Sequence, residues 1–186
     1  MKKAVAMFLA AMMAVSFSTV SFAEAETEAV EMNWEDVAPY VESELKGRFV
    51  TFDEIAAKMW IPEELKEVEL TDDDVEQGFI GYFANDDLDK VVSVVYVDMD
   101  GASLEEYAEA LAEIDGIEDI EVGKVNGLDC VSYAMPDQDS GTLAFATEQG
   151  AILEVTLAPV SDEDFMSSAA FVTMSIMPED EAETEG

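Results

Sequence analysis

The fold is decided by the stretch Ile120-Glu121-Val122-Gly123-Lys124-Val125-Asn126-Gly127-Leu128-Asp129-Cys130-Val131-Ser132-Tyr133-Ala134. Asn-Gly between two strand-like runs is a strong β-hairpin signal, because both residues accept the positive φ angles that a two-residue turn requires. This turn sets Lys124 opposite Asp129 and Val122 opposite Val131, which are favourable cross-strand pairs. The stretch therefore predicts two antiparallel strands.

The segments on either side continue this alternation of strands and turns. Further strands are predicted at 48–53, 57–61, 79–84, 91–97, 141–147 and 151–158. Helices are predicted at 33–47, where Asn33 precedes an apolar stripe, from the capping box at Ser103, and after Ser161. Consecutive strands joined by tight turns pair antiparallel, and apolar helix faces must be buried. The predicted fold class is therefore α+β, an antiparallel β-sheet covered by helices.

The ends of the chain differ in composition from its middle. Residues 1–23 have a basic start, an apolar run and a small-residue end, which is typical of a signal peptide; an uncleaved membrane anchor is the alternative. Residues 24–32 and 178–186 are acidic and are predicted to be disordered. Residues 33–177 form a single α+β domain, with an N-terminal helix at 33–47 and a sheet body at 48–177. We expect an exported protein, secreted or associated with the cell envelope, with no lipid anchor and no stable membrane span after signal cleavage.

The charge balance excludes several functions. The chain has 44 Asp and Glu against 8 Lys and Arg, no His and one Cys, for a formal net charge of −36. Such a surface repels nucleic-acid phosphates. Without histidine there is no imidazole base and no His-containing zinc site, and one cysteine cannot form an intramolecular disulfide. Most of the acids lie in residues 48–177, so the acidity belongs to the domain surface.

Several segments together resemble the PsbP-like and DcrB-like superfamily. The matching segments are Phe49 to Pro62, Ser103 to Ile114, Val125-Asn126-Gly127-Leu128 and Ser175-Ile176. The resemblance covers residues 48–177 and implies an α/β/α sandwich. It also implies a binding or accessory role, since members are mostly non-catalytic, but no functional residue set maps onto this chain. The chain also resembles acidic secreted proteins of gut-type Firmicutes, which offer no activity to carry over.

Two acidic clusters are candidate metal sites. Asp98 and Asp100 alternate before a glycine, and Asp137 and Asp139 lie between two strands. An EF-hand loop fails in either register, because its sixth or twelfth position is then wrong. Turn chemistry accounts for the Asp, Ser and Gly content of these clusters. We therefore expect no cofactor beyond loose association with divalent cations.

Two functions remain as hypotheses. The first is a non-catalytic extracellular binding or accessory domain whose partner is a cationic protein or peptide surface. The second is a small hydrolase that acts on extracellular polymers with paired carboxylates. Trp34 and Trp60 could stack on a sugar, although core packing is the expected role of both. Cys130 is expected to be a small buried hydrophobe, so no catalytic residue is assigned.

Overall fold

The structure, a computed structural model, describes residues 31–179 except 100, 102 and 148–150. Its strands are β1 (Glu31–Met32), β2 (Gly47–Phe52), β3 (Ala57–Pro62), β4 (Lys66–Glu67), β5 (Phe79–Ala84), β6 (Val91–Asp98), β7 (Glu118–Val125), β8 (Leu128–Met135), β9 (Ser140–Ala146), β10 (Ala151–Ala158) and β11 (Met177–Pro178). Its helices are α1 (Trp34–Glu44), α2 (Asp72–Glu76), α3 (Leu104–Leu111) and α4 (Glu163–Met174), with a short 3-10 turn at Pro136–Gln138. The predicted signal peptide at 1–23 lies outside the described residues.

The strands form two sheets. The large sheet has the order β1-β7-β8-β9-β10-β6-β5-β4, and the small sheet has the order β11-β3-β2. All pairs are antiparallel except β1 with β7, which is parallel. The α+β class, with antiparallel sheets covered by helices, is confirmed. None of the described helices is long and apolar enough to cross a bilayer.

Three apolar clusters hold the layers together. The main core lies between one face of the large sheet, the small sheet and α4, with Phe83, Phe145 and Phe165 among its fully buried side chains. A second cluster fixes α3 to the opposite face of the large sheet through Tyr107 and Leu111. A third cluster packs α1 on the far side of the small sheet and α4. The order of layers is therefore α3, large sheet, small sheet with α4, and α1.

The hairpin that the sequence predicted is confirmed. Lys124 lies opposite Asp129 and Val122 opposite Val131. Asn126 and Gly127 have φ angles of 50° and 75°, as the two-residue turn requires. The Nζ of Lys124 lies 2.6 Å from a carboxylate oxygen of Asp129.

The predicted N-terminal helix at 33–47 is shorter in the structure. It ends at Glu44, Leu45 is extended, and Gly47 already belongs to β2. Gly47 lies against Trp60 so closely that a Cβ at this position would come within 2.3 Å of the indole ring. This contact requires glycine and ties residue 47 to the small sheet, which a local helix pattern cannot reveal.

The acidic segments predicted as disordered at 24–32 and 178–186 contain ordered residues at their inner ends. Glu31 and Met32 pair with Lys124 and Val125 of β7. Pro178 pairs with β3, and the Glu179 N–H donates to the carbonyl of Ala56 at 3.1 Å. Pairing with an existing strand satisfies the backbone N–H and C=O groups of a segment, and this does not depend on which side chains the segment carries. Composition alone therefore placed the inner ends of the two acidic segments incorrectly.

Candidate functional site

The two candidate metal clusters lie in different parts of the fold, as their described members Asp98 and Asp139 show. Asp98 ends β6 opposite Ala151, whereas Asp139 precedes β9 near the other end of β10. The length of β6 separates these positions by about 23 Å. Asp100 lies outside the described residues. In the part of the chain that the structure describes, no three His, Cys, Asp or Glu residues form a group that could hold a metal ion.

Asp139 has a structural role instead. Its carboxylate accepts the Ser161 backbone N–H at 3.0 Å and the Ser161 hydroxyl at 2.5 Å. Its own carbonyl accepts the Val160 N–H at 2.9 Å. With a φ of 49°, Asp139 turns the chain into β9 and fastens the loop that leads into α4. Asp137 is exposed in the preceding 3-10 turn.

An acidic ridge runs from α3 into β7. It consists of Glu105, Glu106, Glu109, Glu113, Asp115, Glu118, Asp119 and Glu121, and the sequence contains no Lys or Arg between residues 91 and 123. Within the ridge, Ile114 is 53% exposed. Burial and the neighbouring Asp119 carboxylate raise the pKa of Glu121. The ridge is a crowded anionic surface around an exposed apolar side chain.

The ridge follows from the local sequence. Ser103 accepts the Glu106 N–H at 3.1 Å, and the Glu106 carboxylate accepts the Ser103 N–H at 2.8 Å. This predicted capping box is therefore confirmed and begins α3. Tyr107 and Leu111 turn to the large sheet, so the acids of the helix face solvent.

A groove, called here the β2 groove, lies between the end of α1 and the small sheet. Its volume is about 720 Å³, within the range of ligand sites. It is lined by Val41, Glu42, Leu45, Lys46, Gly47, Arg48, Phe49, Trp60 and Glu63. Trp60 is buried at its base, and Phe49 is 43% exposed at its edge. The groove thus combines aromatic rings with charges of both signs.

The basic residues divide into two groups. Lys66, Lys90 and Lys124 form ion pairs with Asp86, Asp162 and Asp129, at 2.5, 3.1 and 2.6 Å. The other three described bases are Lys46, Arg48 and Lys58, and none of them forms an ion pair with any described residue. All three lie on or beside the small sheet. In a chain with so many acids, this concentration of uncompensated bases marks the small sheet as distinct.

Lys58 is the most unusual of these bases. The residue is 6% exposed overall, and its Nζ lies 5.4 Å from the centre of the Phe49 ring. Trp34 packs edge-on against the same ring, with 5.8 Å between the ring centroids. Among the described residues no acceptor bonds to the Lys58 ammonium, so a cation–π contact is its main partner. The sequence pattern could not find this site, because Lys58 is a single charge in an otherwise apolar strand.

The sequence pattern also did not reveal a buried polar group formed by Tyr107, Tyr133 and Glu154, because it too contains a single charge within an apolar strand. The hydroxyl of Tyr107 donates to the Glu154 carboxylate of β10, and Tyr133 of β8 lies beside both. Both tyrosines are more than nine-tenths buried beneath α3. Burial is the main cause that raises the pKa of both phenols, which therefore stay protonated as hydrogen-bond donors. The sequence indicates this group only through Glu154, a charged residue within the apolar strand β10.

The expectation for Cys130 is confirmed. The residue is 4% exposed, and burial raises the pKa of its thiol to about 11. A protonated, enclosed thiol is a poor nucleophile. The two tryptophans differ: Trp60 is buried in the third cluster, while Trp34 is half-buried and packs on Phe49.

Among the described residues, the carboxyl with a clearly raised pKa lies away from the carboxylates of the β2 groove. An enzyme for glycoside hydrolysis places a carboxylic acid with a raised pKa and a second carboxylate on either side of a cleft. Glu42 and Glu63 line the β2 groove. Among the described residues, the carboxyl whose pKa is clearly raised is that of Glu121, on β7 of the other sheet.

Comparisons with known proteins concern the fold. No protein-family model matches the chain, and no curated protein matches it. Among solved structures, it is similar to the PsbP protein of Synechocystis sp. PCC 6803, with a TM-score of 0.49, 11% identity, and coverage of 84% of this chain and 98% of that chain. It is also similar to the Ran-binding protein Mog1p of Saccharomyces cerevisiae, with a TM-score of 0.43, 14% identity, and coverage of 74% and 98%.

Proposed function

We propose that the protein is an exported, non-catalytic binding or accessory domain whose acidic surface binds a cationic protein or peptide. The observation that carries this proposal is the acidic ridge, in which eight carboxylates follow one another without a basic residue. Clustered carboxylates repel one another, and a cationic partner relieves that repulsion. The exposed side chain of Ile114 supplies an apolar contact at the centre of the same surface.

The charge also supports a rapid encounter with such a partner. A net charge of −36 produces a long-range field that raises the association rate of cationic molecules and falls with ionic strength. Three ion pairs, those of Asp86, Asp162 and Asp129, neutralise a few of these acids. Most carboxylates are therefore available for contact with a partner.

Export is proposed from the leader-like residues 1–23. The mature chain is then secreted or associated with the cell envelope, and it has no lipid anchor because no cysteine adjoins the cleavage region. High net charge of one sign favours solubility at high dilution outside the cell. Detection of the mature chain in culture medium or in the envelope fraction, with an N-terminus near residue 24, tests this part of the proposal.

A non-catalytic role is supported by where the shifted pKa values occur. Those of Asp74 and Asp162 are lowered by hydrogen bonds at helix N-termini, and that of Lys90 is raised by its bond to Asp162. Those of Tyr107, Tyr133 and Cys130 are raised by burial. Each shift has a structural cause, and each lies outside the β2 groove.

A peptide-binding experiment tests the acidic ridge. The mature chain, residues 24–186, is titrated with a capped decapeptide that carries five lysines, and with its glutamate counterpart, at 50 and 300 mM salt. We expect the lysine peptide to bind in a way that depends on the ridge carboxylates, and higher salt to weaken that binding about tenfold or more.

The variants separate the ridge from the rest of the surface. Changing Glu105, Glu109 and Glu113 to Gln should weaken binding about fivefold or more, because these acids share one side of α3 and its extension. The matched control changes Asp72, Asp73 and Glu76 of α2 to their amides and should have a smaller effect. Equal effects of both variants, or binding that salt does not change, would contradict the proposal.

A further inference from the structure

Strand β2 is an edge strand with an unpaired side. It lies last in the order β11-β3-β2, and no described residue pairs with its second edge. Of its six residues, Gly47, Arg48, Phe49 and Thr51 are exposed. An edge of this kind presents backbone N–H and C=O groups to which another extended chain can bond.

The bases without ion pairs gather along this edge. Arg48 lies on β2, Lys46 immediately precedes it, and the ammonium of Lys58 extends from β3 over the ring of Phe49 on β2. The guanidinium of Arg48 donates to the carbonyl of Leu65 at 3.3 Å through Nη1, which leaves its other donors for a ligand. Positive charge on an edge strand can serve to block pairing between copies. Lys58, however, is buried and one strand inward, so blocking does not account for it.

The Lys58 ammonium is the strongest indication of a ligand, because nothing in the described fold pairs with it. Residue 58 is 6% exposed overall, so most of its stem is enclosed, while the ammonium at the tip stays within reach of solvent. It has no hydrogen-bond acceptor and no ion-pair partner among the described residues, and a carboxylate would give it both. Phe49, whose ring the ammonium contacts, is 43% exposed, so this contact lies at the surface, where an incoming chain can reach it.

We propose that the free edge of β2 binds an extended acidic peptide segment of a partner protein, which adds as a further strand and places a carboxylate against Lys58. A strand added here would lie about 4.8 Å from β2. Every second side chain of the segment would face the side of the sheet that bears Phe49, Thr51 and Lys58. An acidic side chain on this side reaches the ammonium, while one on the opposite side reaches Arg48.

Charge argues for this occupant over two others. A second copy of the chain brings another net charge of −36 to the contact and is repelled. A basic segment would be repelled by Lys46, Arg48 and Lys58, which form no ion pair with any described residue. The site is separate from the acidic ridge, on the other sheet, so either proposal can fail without the other.

Tryptophan fluorescence gives a local readout, because Trp34 packs on Phe49 and Trp60 lines the β2 groove, and these are the two tryptophans of the chain. The probe is the capped hexapeptide Val-Thr-Glu-Val-Glu-Thr, compared with peptides in which Gln or Lys replaces both Glu residues. The mature chain is titrated with each up to about 1 mM, the affinity range of small strand-addition contacts. We expect saturable binding of the Glu peptide, and binding at least about tenfold weaker for the other two.

The variants test the basic residues directly. Lys58→Met keeps the apolar stem and should weaken binding of the Glu peptide about tenfold, and Arg48→Gln should weaken it several-fold. Lys66→Gln removes one exposed base of the large sheet and is the matched control, with an expected change of less than about twofold. If Lys58→Met lowers the melting temperature strongly, Arg48→Gln, which changes an exposed side chain, carries the test.

Four outcomes would overturn the proposal. They are no binding of the Glu peptide, equal binding of the Gln peptide, an equal loss in Lys66→Gln, and dimerisation of the free chain through β2. A separate experiment concerns the acidic residues 180–186. If removing them alone shifts the tryptophan spectrum as much as the peptide does, this segment of the chain, and not a partner, occupies the edge.

Discussion

The side-chain carbonyl of Asn126 accepts the backbone N–H of Trp34 at 2.5 Å, across 92 positions of sequence. The amide group of Asn126 donates to the carbonyls of Met174 and Ile176 at 2.7 and 2.9 Å. One turn residue therefore joins the start of α1 to the end of α4. Asn33 occupies the N-cap position of α1, as predicted, but its side chain forms no capping bond. A residue from the hairpin replaces it.

Loss of the Asn126 side chain should destabilise the fold. Asn126→Gly keeps the positive φ of the turn and deletes three hydrogen bonds, so we expect the free energy of unfolding to fall by about 2–3 kcal/mol. Asn126→Ala should cost about 1 kcal/mol more, because alanine is strained at this φ. Urea denaturation followed by tryptophan fluorescence measures both. A loss below about 0.5 kcal/mol in Asn126→Gly would show that these bonds contribute little.

Stability should decrease at alkaline pH because of the two buried tyrosines. Tyr107 and Tyr133 have raised pKa values in the folded state, whereas the unfolded chain releases both protons near pH 10. The stability that each phenol contributes is complete below pH 10 and is lost as the pH rises above it towards the raised pKa, with a limiting slope of about 1.4 kcal/mol per pH unit for each group. The double variant Tyr107→Phe and Tyr133→Phe should have a flatter dependence from pH 9.5 to 11. Identical slopes would refute this interpretation.

The thiol of Cys130 should be protected in the folded protein. Its pKa of about 11 and its 4% exposure both oppose reaction with an aromatic disulfide reagent. At pH 8 we expect labelling at least about a hundredfold slower than in urea. Rapid labelling of the folded chain would mean that β8 opens locally, and Asn126→Gly should accelerate the reaction if it loosens the hairpin.

Asp139 should contribute to the stability of the fold and not to calcium binding. Asp139→Ala removes both bonds to Ser161, and we expect a loss of about 1–2 kcal/mol. Asp137→Ala, at an exposed position two residues earlier, is the matched control and should change stability by less than about 0.5 kcal/mol. The melting temperature of the wild-type chain should be the same with calcium and with chelator. A calcium-dependent rise that disappears in Asp139→Ala would restore this residue as a ligand.

Local signals predicted the elements well. The Asn-Gly turn, the capping box of Ser103, and the bounds of β5 and β10 all follow from signals between residues close in sequence. The chemistry of the candidate surfaces was predicted less well. Acidity was evident, but the burial of Lys58 and the bond from Tyr107 to Glu154 both depend on which strands become neighbours.

The candidate metal residues also depend on tertiary structure that the sequence pattern does not reveal. Asp98 and Asp139 each belong to a cluster with a plausible composition, and each cluster was explained by turn chemistry. Only the pairing of β6 and β9 with β10 shows that the two clusters lie at opposite ends of one sheet. Composition records how many carboxylates there are, whereas coordination depends on their distances.

The sequence by itself determined the start of α1, the helices after Ser103 and Ser161, the hairpin, the α+β class and the negative charge, because turn sterics, capping bonds and apolar periodicity act over a few residues. Tertiary structure alone decided the division into two sheets, the free edge of β2 and the position of Lys58 over Phe49. It also gave Asn126 its second role, as the cap of a helix that begins 92 residues earlier. These features arise when apolar faces from distant segments are buried against one another. The free energy of that burial depends on how all the layers are arranged, and no single segment determines it.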